Sequence, residues 1–114
     1  MYAPVDITFR DMTPSPCVED AVNRWAARLE HTYDQIERCS VVIEVPHHHH
    51  RKGNTFRVRV EVTLPNRKIE VSRDPGINHA HEDVYVAIST AFRAARRQLL
   101  DHARITRGGV KLHA

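Results

Sequence analysis

One segment of the sequence, residues 55–64, alternates apolar and polar side chains without a break. Its apolar positions are Phe56, Val58, Val60, Val62 and Leu64. Successive side chains of a strand point to opposite faces of a sheet, so this alternation predicts a strand with one buried and one solvated face. A sheet that contains this strand needs a second layer of structure on its apolar face, while its polar face can stay in contact with water.

Three further segments show the same strand pattern at residues 5–10, 41–45 and 69–71. Pro65-Asn66 predicts a short turn between the strand at 55–64 and the one that follows it. Short connections join neighbouring strands, so we expect the second, third and fourth strands to form an antiparallel meander.

Two segments have the spacing of amphipathic helices. In the first, Ser15 is a suitable N-cap and Pro16 fits the first helical position, so a helix is predicted from there to about His31. The second is predicted from about Glu82 to Arg104, with ordered structure ending at Gly108-Gly109. The inner face of the first is predicted to hold Val18, Val22, Trp25 and Leu29, and that of the second Val84, Ile88, Ala91, Ala95 and Leu99, with Phe92 beside it.

The order β-α-β-β-β-α therefore predicts an α+β protein, with one four-stranded sheet and both helices packed on one face. The 114 residues suit one domain, which we place at residues 1–107, followed by a flexible tail at 108–114. No apolar run approaches the roughly 20 residues of a membrane helix, and residues 1–6 do not resemble a secretory signal. We therefore expect a cytoplasmic protein.

The charge is concentrated near the end of the chain. Residues 93–111 hold six basic residues against one acid, a net +5, so the rest of the chain carries −2 of the total of +3. The basic residues are Arg93, Arg96, Arg97, Arg104, Arg107 and Lys111. Such a segment fits an anionic partner such as nucleic acid, or equally a solvated helix end.

Two long stretches are similar to the ribosome hibernation-promoting factor family, which includes the ribosome-associated inhibitor proteins. They are residues 28–45, RLEHTYDQIERCSVVIEV, and residues 82–99, EDVYVAISTAFRAARRQL. The resemblance spans about residues 5–105 and implies a β-α-β-β-β-α domain that binds ribosomal RNA of the small subunit. It further implies inhibition of translation and ribosome hibernation under stress or in stationary phase, without enzymatic chemistry.

The resemblance assigns RNA contacts to Arg93, Arg96, Arg97 and Arg104. Guanidinium groups bind phosphate oxygens through paired hydrogen bonds, which suits arginines that share one helix face. Arg57, Arg59 and Lys68 on the open face of the sheet are further candidates. Glu61 and Glu70 lie among them, so the alternative is a solvated face whose charges neutralise one another. We expect a monomer that does not pair ribosomes on its own, because the chain stops just after the second helix.

Histidines form a separate candidate site. His47, His48, His49 and His50 lie in one predicted loop and His79 and His81 in another, and an antiparallel meander places both loops at the same end of the sheet. Imidazoles at close range suit zinc, and they would also gain charge below about pH 6.5. The alternative is simple solvation, in which case no cofactor is present.

Two other classes of function stay open beside ribosome binding. One is a metal- or pH-responsive binding protein that uses the histidines, and the other is a generic double-stranded RNA binder. The sequence contains no GxSxG, phosphate-binding glycine loop or HExxH motif, so we do not expect an enzyme or a small-molecule substrate.

Overall fold

The computed structural model describes residues 3–45, 55–73 and 83–113, with residue 73 and residues 106–113 described by their backbone alone. Its elements follow the predicted order β-α-β-β-β-α. They are β1 (Val5–Arg10), α1 (Pro16–Thr32), β2 (Arg38–Glu44), β3 (Arg57–Leu64), β4 (Arg67–Arg73) and α2 (Val84–His113).

The four strands form one sheet in the order β1-β2-β3-β4. β1 runs parallel to β2, while β2, β3 and β4 are antiparallel neighbours, which confirms the predicted meander. One row of paired residues crosses the whole sheet through Ile7, Val41, Val60 and Val71. Because paired residues point to the same side, this row lies on the apolar face that the alternation predicted.

Both helices pack against that apolar face and close a single core. The largest side chains that are fully buried there include Phe92, Leu29, Ile43, Ile69 and Leu99. They come from α1, α2 and two strands, β2 and β4, so the predicted two-layer α+β arrangement is confirmed. The opposite face of the sheet carries polar side chains, such as Arg59, Lys68 and Glu70, that are exposed.

The helix starts follow the capping chemistry of the sequence. Ser15 has an extended backbone, and its hydroxyl accepts a hydrogen bond from the amide of Val18 at 3.4 Å. Pro16 follows at the first helical position, where its missing N–H leaves no unmet donor. At α2, the carboxylate of Asp83 accepts from the amide of Tyr85 at 2.9 Å, as expected for an acid at the positive end of a helix.

α2 differs from its predicted bounds. It begins at Val84 and continues to His113, whereas the sequence predicted an end near Arg104 and a loss of order at Gly108-Gly109. Each glycine in a helix costs only about 1 kcal/mol and keeps its backbone hydrogen-bonding groups, so a glycine pair need not end a long helix. The flexibility predicted for residues 108–114 stays a prediction.

Candidate nucleic-acid interface

The outer face of α2 carries a line of arginines. Arg93, Arg97 and Arg104 are separated by four and seven residues, which places them above one another along the helix, and all three are exposed. The buried residues of α2, among them Ala91 and Ala95, lie on the opposite side. The predicted orientation of these arginines is therefore the one that the structure has. Arg93 and Arg97 are about 6 Å apart along the helix axis.

Arg93, Arg96 and Arg97 form no ion pair among residues whose side chains are described. Arg104 differs from them, because its guanidinium is bonded to the carboxylate of Asp101 one turn earlier. The positive charge of α2 is thus least compensated between residues 93 and 97. Arg107 and Lys111 have backbones within α2, but their side chains lie outside the described part of the structure.

The basic residues on the open face of the sheet, unlike Arg93, Arg96 and Arg97, form ion pairs within the described part of the structure. Three cations of the open face, all candidates from the sequence, each lie within 4.0 Å of a carboxylate on the same or a neighbouring strand. The pairs are Arg57–Glu44 at 3.0 Å, Arg59–Glu70 at 3.3 Å, Arg59–Glu61 at 4.0 Å and Lys68–Glu61 at 3.3 Å. An RNA phosphate would have to compete with these carboxylates, so this face offers weaker phosphate sites than α2 does.

A groove between α1 and α2 was not predicted from the sequence. It has a volume of about 400 Å³, and its lining includes Trp25, Leu29 and Phe92 together with Arg28, Arg93 and Arg96. We call it the helix–helix groove. The sequence predicts Trp25 on the inner face of the first helix; the side chain packs against the core but is only half-buried at this groove. Trp25 and Arg28 are three residues apart and therefore lie side by side on α1. This spacing alone could not predict the groove, because the sequence does not show which side of α1 contacts α2.

The Trp25 ring is held in place by its neighbours. It stacks on the ring of Phe92 with 6.0 Å between centroids and an angle of 17° between planes. The guanidinium carbon of Arg28 lies 4.8 Å from the Trp25 ring centre, and that of Arg93 lies at 6.0 Å. Both distances fall within the range of cation–π attraction. Arg93 therefore belongs to the arginine line and to the rim of the groove.

Tyr85 is a second aromatic residue on the helical side of the fold, and its side chain is 47% exposed. It stands near the start of α2, outside the set of residues that line the helix–helix groove. The structure therefore offers Trp25, rather than Tyr85, as the aromatic ring that is flanked by arginines.

The predicted histidine site lies outside the described residues, since His47–His50, His79 and His81 all belong to segments that the structure does not describe. A zinc or pH-sensitive role for them stays a prediction. Within residues 3–45, 55–73 and 83–105, no group of three His, Cys, Asp or Glu side chains is placed to hold a metal. Cys39 is buried and Cys17 is exposed, and both are free thiols.

The sequence model of the family described as sigma 54 modulation protein / S30EA ribosomal protein matches residues 5–107. The chain belongs to this family. The resemblance to hibernation-promoting factors is thereby confirmed, and the match covers nearly all of the predicted domain. No curated protein matches the S30EA-family chain well enough to count as a relative.

Solved structures share the fold of this S30EA-family chain. A ribosomal subunit interface protein from Coxiella burnetii superposes with a TM-score of 0.72 at 15% identity, over 89% of this chain and 98% of that one. The N-terminal domain of Protein Y from Thermus thermophilus gives a TM-score of 0.63 at 22% identity, over 86% and 94%. At these identities the likeness establishes the fold alone.

No helix that the structure describes in the S30EA-family chain has both the length and the apolar character needed to cross a bilayer. α2 is long enough, but charged and polar residues interrupt its sequence throughout. The candidate nucleic-acid interface consists of the exposed arginines of α2 and the adjoining helix–helix groove, both on the helical side of the fold.

Proposed function

We propose that this S30EA-family protein binds the small ribosomal subunit through ribosomal RNA and holds the ribosome in a non-translating state under stress or in stationary phase. The observation that carries the proposal is the line of exposed arginines on α2, of which Arg93 and Arg97 are free of ion pairs within the described structure. Membership of the family described as sigma 54 modulation protein / S30EA ribosomal protein supports a ribosomal partner.

The physical argument concerns phosphate. An arginine that already holds a carboxylate must give up that contact to bind a phosphate, whereas one that faces water gives up only hydration. Arg96 and Arg97 are in the second condition, and Arg93 adds to it only a cation–π contact with Trp25 at 6.0 Å. All three therefore bind the RNA backbone at a lower cost than the arginines that hold carboxylates. Contacts of this kind position a protein on RNA without selecting a base sequence. Selection of the ribosome then comes from the shape of its RNA.

The protein acts by occupancy alone in this proposal, as a cytoplasmic monomer without cofactor or substrate. A rigid domain seated on the small subunit excludes other ligands from the same surface, and translation stops for as long as it stays bound. Arg104, Arg107 and Lys111 extend the contact along α2, while Arg57, Arg59 and Lys68 contribute less because carboxylates hold them.

The test uses purified subunits. The protein is sedimented with small subunits and with large subunits separately, and a reconstituted translation reaction is run with increasing amounts of it. We expect co-sedimentation with small subunits and inhibition of translation at matching concentrations. Free duplex RNA serves as the competitor, and a preference for it over the small subunit would favour the generic RNA binder instead. Binding without inhibition would remove the silencing role.

A further inference from the structure

The helix–helix groove combines three features that do not occur together elsewhere among the described residues: a partly buried aromatic ring, a fully buried ring stacked on it and three arginines in the lining. No acidic side chain belongs to the described lining. The described lining is therefore positively charged and contains two aromatic rings. Phe92 and Leu29 are buried in the core, whereas Trp25 packs against the core and still keeps part of its ring at the surface beside Arg28 and Arg93.

The packing fixes the orientation of the ring that a ligand would meet. Phe92 is fully buried in α2 and stacks nearly parallel to Trp25, so the indole cannot tilt freely. Arg28 approaches it from α1 and Arg93 from α2. A ring that is already held loses little conformational entropy when a ligand stacks on it, which strengthens binding.

The matching ligand is a planar ring that carries a negative group. Unstacked bases of single-stranded RNA stack on aromatic rings and on guanidinium planes, and each base is linked to phosphates that arginine binds. A groove of about 400 Å³ lies within the usual range for small-ligand sites. An acidic peptide would match the arginines but would leave the indole without a partner.

We propose that the helix–helix groove binds one unstacked nucleotide of single-stranded RNA, with its base against Trp25 and Arg28 and its phosphate at Arg93 and Arg96. This proposal rests on the proposed function, because it takes RNA as the partner. It adds that the groove recognises a nucleotide whose base is unpaired and unstacked. Stacking is tolerant of base identity, so the site selects an unpaired base rather than a sequence.

The chain contains a single tryptophan, so its fluorescence reports on this groove alone. The full-length protein is titrated with a short oligouridine and with an abasic oligomer of equal length and phosphate number. We expect the oligouridine to change the Trp25 emission and to bind about 5- to 150-fold more tightly than the abasic oligomer. This ratio corresponds to the stacking of one base on an aromatic ring. Equal affinity and equal emission changes for the two would overturn the proposal.

Matched variants locate the contact. Arg96→Ala should reduce oligouridine affinity and the emission change more than Arg97→Ala does, because both residues are exposed on α2 but only Arg96 belongs to the described lining. Arg28→Ala and Arg24→Ala form a second pair one helical turn apart on α1. Equal effects within both pairs would show a general electrostatic attraction and no groove. A poly-glutamate peptide that produced the same emission change as oligouridine would likewise contradict an RNA base as the occupant.

Trp25→Leu separates this inference from the proposed function. We expect the variant to sediment with small subunits, with reduced affinity, while losing its preference for oligouridine over the abasic oligomer. A melting curve shows whether it is folded, and the titrations of the unchanged protein decide the proposal if it is not. If the unchanged protein distinguished the two oligomers but ignored ribosomal subunits, the groove would stand and the proposed function would fail.

Discussion

The charge of α2 can be tested by removing Arg93 and Arg97 without adding new groups of opposite sign. The variant Arg93→Gln/Arg97→Gln lowers the net charge of the chain from +3 to +1. Its control, Arg38→Gln/Arg59→Gln, removes the same charge from the open face of the sheet, where Arg38 holds Asp6 at 2.6 Å and Arg59 holds Glu70 at 3.3 Å. Any difference between the two variants then reflects location rather than total charge.

The magnitude follows from counterion release. Each phosphate contact contributes about 0.7 to 0.9 to the slope of log affinity against log salt concentration, so two lost contacts should lower that slope by about 1.4 to 1.8. Each charge-assisted hydrogen bond contributes about 1.5 to 3 kcal/mol, which makes the loss of affinity at low salt at least roughly a hundredfold. Both variants should stay folded, because exposed substitutions change stability by about 0.5 kcal/mol and exposed ion pairs contribute about 1 kcal/mol or less.

The assay is small-subunit binding at several salt concentrations, by sedimentation or by a labelled protein. We expect a shallower salt dependence and weaker binding for Arg93→Gln/Arg97→Gln, and values close to those of the unchanged protein for Arg38→Gln/Arg59→Gln. The reasoning is refuted if the sheet variant loses as much slope and affinity as the helix variant does. In that case the ion pairs of the open face do not restrain its arginines, and the interface includes the sheet.

Three further predictions concern stability. Burial, with smaller contributions from Glu30 and Asp6, raises the pKa of the Cys39 thiol from 9.0 to about 12, so the folded state keeps a proton that the unfolded chain loses. The contribution of this thiol to the free energy of unfolding is fully present below pH 9. Between pH 9 and 12 it should fall by about 1.4 kcal/mol per pH unit. Denaturant titrations at several pH values, with Cys39→Val as the reference, measure this fall. Phe92→Ala should cost about 3 to 5 kcal/mol by the same titration, since the side chain is fully buried, and a cost below 1 kcal/mol would contradict its place in the core. Ser15→Ala should cost about 0.5 to 1 kcal/mol, the lower part of the range for a cap, because its bond to Val18 is long at 3.4 Å, while Ser15→Asn should restore most of it.

Most of the fold could be predicted from the sequence, because each strand alternates and each helix start carries a capping residue. The alternation at residues 55–64 predicted which face of β3 is buried. Val41 and Val71, which pair with Val60, are apolar positions in the same alternating pattern of β2 and β4 and lie on the same face. The end of α2 could not be predicted, because Gly108-Gly109 has the composition of a helix end and yet α2 continues through it to His113.

The site was predicted in part. The outward direction of Arg93 and Arg97 follows from helical spacing within α2, which is a local property. The helix–helix groove depends on how α1 and α2 lie beside each other, a long-range relation that no spacing in the sequence contains. The ion pairs of Arg57 and Arg59 likewise depend on strand register, although the intermixed glutamates made a neutral sheet face one of the two expected outcomes.

The position of β1 has a consequence for the order in which the fold assembles. β3 and β4 are joined by the short turn at residues 65–66, so they can pair soon after the chain begins to collapse. β1 can pair with β2 only after the chain between them, which includes α1, has folded back, and among the described strands none lies on the outer side of β1. Closing the longer loop costs more entropy, which delays pairing. We therefore expect β1 to join the sheet last and to detach first, so that its amide protons exchange with solvent before those of β3.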